Sequence, residues 1–429
     1  MTTEPVADRT SAPTLLRQPV FVSLLMTALV SNVGSWMQGF SEQWLVVQMA
    51  GAEAPRWAGR QGFASGFAML LLIPLAGALG DRFDRRRLLA LSQAWLACIA
   101  VAMGTLALTP HGLTLGRLVA FAAATGVGMA LMVPMLNSLL PGVVTRDELT
   151  AASGLMSAQF NVSRVVGPTL SAMVLSWWGV SGNFFLNAFS FLGLIVVSFR
   201  LPAPLPGMAG AGRGSYAEAW RHCREDRELR VALVLALIVG TFAWSYHTFV
   251  TVYAVRYLGA QAHGAAGLLA AYGAGAIAGS VMLSRDTGGS PWRRLRIGLA
   301  AYGGGLVLVG AWPHDVLTLV VAAGLGGAHA VFGNLLGVAV QHRAPDAMRG
   351  RITAIYLMAI LGTTPLGNLL AGEVAQALGF HGVRWVLGSQ GVLLIGSAVW
   401  AGRSAPSRSG VTAGRQPPPN SGSVPSGTS

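Results

Sequence analysis

The segment Gly77-Ala78-Leu79-Gly80-Asp81-Arg82-Phe83-Asp84-Arg85-Arg86-Arg87-Leu88-Leu89 decides the fold, because it places two acids and four arginines between two long apolar stretches. Charged side chains at this density require water, whereas an apolar stretch of about 20 residues is long enough to cross a bilayer as a helix. We therefore predict a short loop at a membrane face, flanked by two transmembrane helices.

The composition of the whole chain also indicates a membrane protein. Of its 429 residues, 53% are hydrophobic and only 10% are charged, whereas about 25% of the residues of soluble domains are charged. Lipid admits only helices and closed barrels, and the apolar runs here are far longer than the roughly ten alternating residues of a barrel strand. These observations predict an all-α membrane protein.

The apolar pattern predicts twelve transmembrane spans in two groups of six. The predicted spans are 20–50, 58–79, 88–108, 115–140, 150–178 and 183–201 in the first group, and 229–255, 265–283, 295–312, 316–341, 352–378 and 383–401 in the second. The first span is too long, and begins too far inside the chain, for a cleaved signal peptide. We expect it to remain as a transmembrane helix.

The distribution of arginine predicts the orientation of these spans. All 29 basic residues are arginines, and with the amino terminus placed inside, 23 of them fall on the cytoplasmic side and five on the outer side. The positive-inside rule then predicts that both termini of this multi-pass protein lie in the cytoplasm, and we expect the membrane to be the bacterial inner membrane. The same bias explains the net charge of +13 by an anionic lipid surface, so we expect membrane lipid and no nucleic acid as a partner.

A Pro/Gly-rich segment, 202–214, lies at the midpoint of the apolar region and divides the chain into two halves. The predicted organisation is a cytoplasmic tail (1–18), a six-helix half (19–201), a cytoplasmic linker (202–228), a second six-helix half (229–402) and a disordered, Ser/Pro/Gly-rich tail (403–429). Residues 215–230 predict an amphipathic helix that begins with a capping box of Ser215 and Glu218. Segments 141–154 and 345–354 are similar to each other, which indicates a weak internal repeat.

The Asp81 segment resembles the signature loop between helices 2 and 3 of the major facilitator superfamily of transporters, with Asp84 where many members carry glycine. Residues 31–38, residues 161–168 with Gly167-Pro168, and Arg349-Gly350-Arg351 extend the resemblance over about residues 18–402. The pattern is similar to the exporter branch that includes the enterobactin exporter and macrolide efflux proteins. This resemblance implies two six-helix halves that rock around a midplane cavity.

The resemblance assigns a gating role to the acid of this loop. In the family, the acid at the end of helix 2 pairs with nearby basic residues or helix ends and stabilises the outward-open arrangement. We predict Asp81 and Arg85 as the gating residues, whereas Arg86 and Arg87 need only satisfy the topology. The corresponding loop of the second half has lost the pattern, so we expect the gate to be asymmetric.

Ionisable side chains inside the spans are functional candidates, because they are expensive to bury. Glu42 can carry a proton for coupling or can reach interfacial water, and Arg164 can contact the substrate, take part in coupling or hold neighbouring backbone carbonyls. His247 and His329 can relay protons or act as neutral hydrogen-bond partners. Glu373 can carry a proton or remain hydrated near the outer mouth. The sequence leaves these alternatives open.

A cavity for a partly apolar small molecule favours aromatic and amide side chains. The candidates are Trp36, Gln38, Trp44, Asn161, Trp244 and Tyr246. We expect the compound to bind near Glu42 and Arg164. The glycine-rich segment 273–279 lies inside a span and predicts close helix packing rather than dinucleotide binding.

The first functional hypothesis is a proton-coupled exporter of amphipathic small molecules such as drugs, antibiotics or siderophores, working as a monomer. No helix carries paired catalytic residues or a metal-ligand cluster, and without lysine no phosphate-binding loop of the ATPase type can form. We therefore expect no enzyme activity, metal or cofactor. An importer or facilitator is the alternative, because direction cannot be read from the residues. A membrane receptor that does not transport is a third hypothesis, although no signalling domain is evident.

Overall fold

The computed structural model describes residues 12–201, 215–285, 290–345 and 348–404, and these residues form helices without strands. Nine helical segments of this part are long and apolar enough to cross a membrane, and two of them, Pro19–Arg82 and Leu149–Ser198, each contain two helices. Together with Pro291–Ala311, the described part of the chain has twelve helices of membrane-spanning length. The predicted all-α fold class is confirmed.

We label these helices α1 to α12. In the first half they are α1 (Pro19–Ala50), α2 (Ala54–Arg82), α3 (Arg85–Ala107), α4 (Leu115–Leu139), α5 (149–178) and α6 (180–198). In the second half they are α7a (Arg227–Phe242) with α7b (Ser245–Leu258), α8 (Ala262–Arg285), α9 (Pro291–Ala311), α10 (Asp315–Arg343), α11 (Arg349–Ala377) and α12 (Gly382–Ser404). A single turn, Ala12–Leu15, precedes α1, and a short helix, Tyr216–Glu225, precedes α7a.

Two changes of chain direction occur at glycines with positive φ. Gly51 (φ 51°) ends α1, and Gly179 (φ 66°) separates α5 from α6. This backbone conformation is strained for residues with a Cβ atom but is readily adopted by glycine. The loop predicted between the fifth and sixth spans therefore reduces to a single residue.

The segment before α7a differs from its prediction. A helix is present as expected, but it ends at Glu225 and Asp226 begins a new one, so the prediction of one helix over 215–230 is wrong in extent. The Asp226 carboxylate accepts hydrogen bonds from the backbone amides of Glu228 and Leu229 at 2.9 and 3.0 Å, which caps α7a. The Pro/Gly-rich segment 202–214 and the predicted disordered tail beyond residue 404 lie outside the described residues.

The two halves meet mainly along two helix pairs. Between the halves, α2 packs against α11 and α5 packs against α8. We call the end of the bundle that carries the Asp81 loop the inner end, and the end that carries Arg56 and Glu373 the outer end. The arginine distribution predicts that the inner end faces the cytoplasm.

Candidate functional site

An ion-pair cluster joins the halves at the outer end. Arg56 Nε lies 3.0 Å from Glu373 Oε2, and Arg60 Nη2 lies 2.9 Å from Glu373 Oε1. The two arginines come from α2 and the acid from α11, so the cluster links the two halves. We call these three residues the outer clamp. Glu373, predicted as a coupling candidate or a hydrated mouth residue, thus lies in a contact between the halves.

The helices that carry the outer clamp approach each other at backbone distance. A Cβ atom on Gly59 would lie 2.6 Å from the carbonyl oxygen of Asn368 and 2.9 Å from the Cα atom of Gly372. Nearby, Arg256 Nη2 donates to the carbonyl oxygen of Ala52 at 2.8 Å across the halves. Only glycine permits this approach, because any side chain would overlap the opposite backbone. The outer end is therefore closed.

The inner end lacks this tight packing in the described part of the chain. There α4 and α10 make at most slight contact with each other. Asn161 on α5 donates to Ser157 O at 2.9 Å, and Asn334 on α10 donates to Ala330 O at 2.8 Å, so each amide bonds within its own helix. Neither amide donates a hydrogen bond across to the other half in the described structure. The protein is thus closed at the outer end and open toward the inner end.

The signature loop at the inner end makes its contacts within the first half. Asp81 is 60% exposed and lies 3.7 Å from Arg85 Nη2, while Arg85 Nε donates to Gly80 O at 3.1 Å. Asp84 caps α3 by accepting a hydrogen bond from Arg86 N at 2.9 Å. The hydrogen bond from the Arg86 side chain is the main reason why the pKa of Asp84 lies below its ordinary value.

Arg86 has a structural role that the sequence did not reveal. Its Nη1 atom donates to the carbonyl oxygen of Leu201 at 3.1 Å, and its Nε and Nη2 atoms bond Asp84. The side chain therefore connects the start of α3 to the end of the first half. The prediction that Arg86 need only satisfy the topology was incomplete.

A buried polar network surrounds Glu42. Its Oε1 atom accepts a hydrogen bond from Gln38 Nε2 at 2.8 Å, and its Oε2 atom accepts one from Gln61 Nε2 at 2.7 Å. Asn187 Nδ2 donates to Gln38 Oε1 at 2.7 Å, and Ser190 Oγ donates to Asn187 Oδ1 at 3.0 Å. We call these five residues the Glu42 network. It connects α1, α2 and α6, and both carboxyl oxygens bond neutral amides.

The Glu42 network lies inside the first half, away from the space between the halves. Successive residues of an α-helix are about 100° apart, so Gln38 and Glu42 share one face of α1 while Trp36 lies on nearly the opposite face. Glu42 is only 7% exposed. The structure therefore separates Glu42 from Arg164, which the sequence analysis had grouped as one binding region.

A second, partly buried group surrounds Arg164 near the middle of the bundle. Its guanidinium carbon lies 5.4 Å from the ring centre of Trp36 and 5.3 Å from that of Tyr272. Trp36 comes from α1 and Tyr272 from α8, so the arginine lies between rings of the two halves. Its Nη2 atom is buried and has no hydrogen-bond partner among the described residues. A cation at this depth is costly unless a partner, a ligand or cavity water stabilises it.

The two candidate histidines extend this group. The hydroxyl of Tyr272 lies 2.7 Å from His329 Nδ1. The ring of His247 lies 5.2 Å from that of Trp36, and the ring of Trp244 lies 5.2 Å from that of His329. We call the whole set the Arg164 cluster, which consists of Trp36, Arg164, Trp244, His247, Tyr272 and His329. It joins residues of both halves near the middle of the bundle.

Three predicted cavity residues lie elsewhere. Tyr246 is fully buried and stacks on Tyr272 from within the second half, with ring centres 5.6 Å apart. Gln38 belongs to the Glu42 network, and Trp44 stacks on Phe40 further toward the outer end.

Sequence reasoning missed the partners of the candidate charges. They are Arg56, Arg60, Gln61, Asn187 and Tyr272. Gln61 and Asn187 could have been identified from the sequence as amide side chains well inside a span, because a buried amide needs a hydrogen-bond partner.

A twelve-helix bundle with buried charges inside and between two halves is the architecture of a secondary transporter. The sequence of residues 10–410 matches the family described as transmembrane secretion effector, a branch of the major facilitator superfamily. The chain belongs to this family.

Curated relatives are transporters of similar length. The multidrug efflux pump Tap of Mycobacterium tuberculosis is 26% identical over 392 residues, which cover 85% of this chain and 89% of that protein. The staphyloferrin A transporter of Staphylococcus aureus is 22% identical over 361 residues, which cover 81% of this chain and 87% of the relative.

Solved structures of low sequence identity share the fold. A bacterial homologue of the human lysosomal transporter Spinster, in an inward-facing and occupied conformation, matches with a TM-score of 0.72 and 15% identity, covering 91% of this chain and 97% of that one. A D-xylose-proton symporter matches with a TM-score of 0.71 and 16% identity over 91% of this chain and 98% of that one.

Proposed function

We propose that this protein is a proton-coupled exporter of amphipathic small molecules, working by alternating access as a monomer in the bacterial inner membrane. The observation that carries the proposal is the Glu42 network, a buried acid whose oxygens bond only neutral amides in the described structure. The relatives support export, since Tap is named a multidrug efflux pump. The staphyloferrin A transporter supports siderophores as one class of cargo.

The hydrogen bonds of Glu42 make its protonation a structural event. As a carboxylate, Glu42 accepts from Gln38 and Gln61 at the same time. A protonated carboxyl carries one O–H donor, so one of the two amides must turn or move away. Because neither partner is a cation, this change does not leave an unpaired arginine behind. Glu42 can therefore take up and release a proton while its surroundings stay neutral.

This rearrangement acts on the helix that closes the outer end. Gln61 belongs to α2, only one residue from Arg60 and two residues from Gly59 at the contact with α11. A change in the bond between Glu42 and Gln61 thus alters the position of α2 where the halves meet. In the proposed cycle, a proton from outside binds Glu42 and favours the return to the arrangement described here. Release of that proton to the cytoplasm completes the exchange for the cargo.

The inner gate is part of the same proposal. Asp81 is exposed in the inner-open arrangement and pairs weakly with Arg85 on its own loop. When the inner end closes, we propose that these two residues contact the opposite half and stabilise the outward-open state. The outer clamp would separate in that state. Each end thus has its own charged contact, formed in alternation.

Purified protein in liposomes tests the coupling. A panel of amphipathic dyes with negative, neutral and positive charge would be loaded, and their movement followed with and without an imposed pH gradient. The proposal expects at least one dye to move faster with the gradient than without it, and faster than in empty liposomes. Movement that is equal with and without the gradient for every dye would contradict proton coupling.

A cellular assay tests the direction. Cells with and without the gene would be exposed to the same dyes, and internal dye would be measured. Export lowers the internal concentration, import raises it, and a receptor that does not transport changes neither. A rise in internal dye would overturn the proposal in favour of an importer.

A further inference from the structure

We propose that Arg164 binds an oxyanion of the cargo, and that the aromatic residues around it hold an apolar or aromatic body attached to that anion. The cargo class would then be amphipathic organic anions, with a carboxylate, sulfonate or phosphate as the charged group. This inference rests on the proposed function, since it takes the space between the halves as the transport site.

The acids of the chain leave Arg164 without a counter-ion. The chain has 16 aspartates and glutamates, and within the described parts of α1 to α12 only Glu42 and Glu373 lie away from the helix ends. Glu42 bonds two glutamines, and Glu373 bonds the two arginines of the outer clamp. No acid of the described helices is thus left to neutralise Arg164. The site has room for a negative charge from outside the protein.

The geometry of the guanidinium leaves its edge available. A guanidinium is planar, with five N–H donors directed outward in its plane. Trp36 and Tyr272 lie near this group at 5.4 and 5.3 Å, as rings that stack on or contact a cation. Of these donors, the buried Nη2 atom has no acceptor in the described structure. An oxyanion is the partner that satisfies adjacent N–H donors in one plane.

The alternative of a backbone clamp lacks support in the described structure. A clamp would show hydrogen bonds from Arg164 to carbonyl oxygens, as Arg384 shows toward Gly310 O at 2.8 Å and Ala311 O at 2.8 Å. The Nη2 atom of Arg164 makes no such bond. The contrast between the two arginines indicates that Arg164 is held ready for a partner that is not part of the helices.

The walls beside Arg164 suit an apolar body. The rings of Phe160 and His247 lie 6.0 and 5.2 Å from that of Trp36, and Trp244 lies 5.2 Å from His329. Large aromatic surfaces with a few polar groups are typical of sites for small organic ligands. Because the walls come from both halves, a cargo bound here would contact both of them.

A matched pair of probes tests the charge requirement. 2-Naphthalenesulfonate is permanently anionic, whereas 2-naphthalenesulfonamide has nearly the same shape and is neutral near pH 7. Binding of each to purified protein in detergent would be measured by equilibrium dialysis. We expect the sulfonate to bind at least roughly tenfold more tightly than the sulfonamide, the size of effect expected for a charge-assisted pair. Equal affinities, or no measurable binding of the sulfonate, would overturn the proposal.

Variants locate the effect at Arg164. Arg164→Gln should reduce sulfonate affinity to that of the sulfonamide and leave sulfonamide affinity unchanged. Arg164→Lys should keep part of the preference, since it keeps the charge without the planar donors. Arg87→Gln, which removes an exposed arginine of the inner loop, is the matched control and should change neither affinity. Loss of both probes in Arg164→Gln would indicate a structural role and contradict the proposal.

A carboxylate supplied by the protein should compete with the ligand. Asn161 lies three residues before Arg164 on α5, a spacing that allows side chains to meet. Asn161→Asp should therefore weaken sulfonate binding and spare the sulfonamide, whereas Asn161→Ser should spare both. Unchanged sulfonate binding in Asn161→Asp would count against an available guanidinium. These assays use no gradient, so a failure of proton coupling and a failure of anion binding give different results.

Discussion

The two ends of α2 are held in different ways. At the outer end, Arg56, Gly59 and Arg60 contact α11 of the opposite half. At the inner end, Asp81 and the residues after it bond only within the first half in the described structure. The difference shows which end of the bundle is closed. It also shows that the end with the recognisable sequence signature is the open one.

The comparison gives α2 a central place in the mechanism. Between its two ends, Gln61 bonds Glu42, the buried acid of the first half. One helix thus carries the outer contact, a link to the proposed proton site and the inner gate. A change in the contacts at one end of α2 should therefore alter the contacts at its other end.

The largest effect is expected from filling the outer interface. Gly59→Val would place a branched side chain where even a Cβ atom lies 2.6 Å from the Asn368 carbonyl oxygen, so the outer end could not close. Transport should fall to near the level of empty liposomes while the protein remains folded. Gly396→Val, at an exposed glycine of α12 where an added Cβ meets nothing within 4 Å, is the control. Normal transport by Gly59→Val would refute the closed interface.

A smaller effect is expected from removing the charge of the outer clamp. Glu373→Gln loses both ion pairs, but their side chains are 34 to 41% exposed, and such pairs contribute about 0.2 to 1 kcal/mol each. The outer end should open a few times more often. The frequency of opening is measured with a cysteine introduced at Gln376, in a background without Cys98 and Cys223. Its rate of labelling by a membrane-impermeant maleimide reports how often the outer end opens.

A control variant distinguishes the ion pairs of the outer clamp, which join the halves, from an ion pair within one half. Glu53 lies 3.5 Å from Arg56 within the same half. Glu53→Gln should therefore leave the labelling rate unchanged. High salt should raise the rate in the wild type and less so in Glu373→Gln, because salt screens exposed pairs. Equal labelling of all three proteins would show that the ion pairs do not hold the outer end.

The smallest effect is expected at the inner end. Asp84→Ala removes the cap of α3, which costs about 1 kcal/mol, and Asp84→Asn keeps an acceptor but loses the charge that Arg86 bonds. Melting temperatures should fall in the order wild type, Asp84→Asn, Asp84→Ala.

The pH dependence of this effect has a defined sign. The folded state lowers the pKa of Asp84, so the carboxylate stabilises the fold above the usual aspartate pKa of about 4. That contribution is lost as the pH falls further, through the pKa of the folded state. The difference between wild type and Asp84→Asn should therefore shrink below about pH 4. A difference that grows in acid would show that the charge of Asp84 is not stabilising.

Local sequence patterns predicted most of the fold. Long apolar runs predicted twelve spans, and the glycines of 273–279 predicted close packing, which Gly275 and Gly279 show against Ala323 and Gly327. Boundaries shifted where one residue controls the chain direction, as at Gly179 and Asp226. These shifts depend on single backbone angles or caps, which apolar patterning does not detect.

The candidate site was only partly predictable, because its contacts join distant parts of the chain. Glu42 and Arg164 were identifiable as charges inside spans, but the partners that distinguish them were not. Glu373 lies 313 residues after Arg60, and no local pattern indicates that pair. Tyr246 was expected in the cavity and is buried, because its face of α7b points into the second half.

The central claim is that Glu42, through α2, controls which end is open, and spin-label distances test it most directly. Labels at Ala52 and Phe380 would report the outer end, and labels at Arg87 and Arg285 the inner end. Between about pH 8 and about pH 5.5, the wild type should shift toward a closed outer end and an open inner end, because protonation of Glu42 favours this arrangement. Glu42→Gln should hold that arrangement at both pH values. A Glu42→Gln protein that responds to pH as the wild type does would contradict the account.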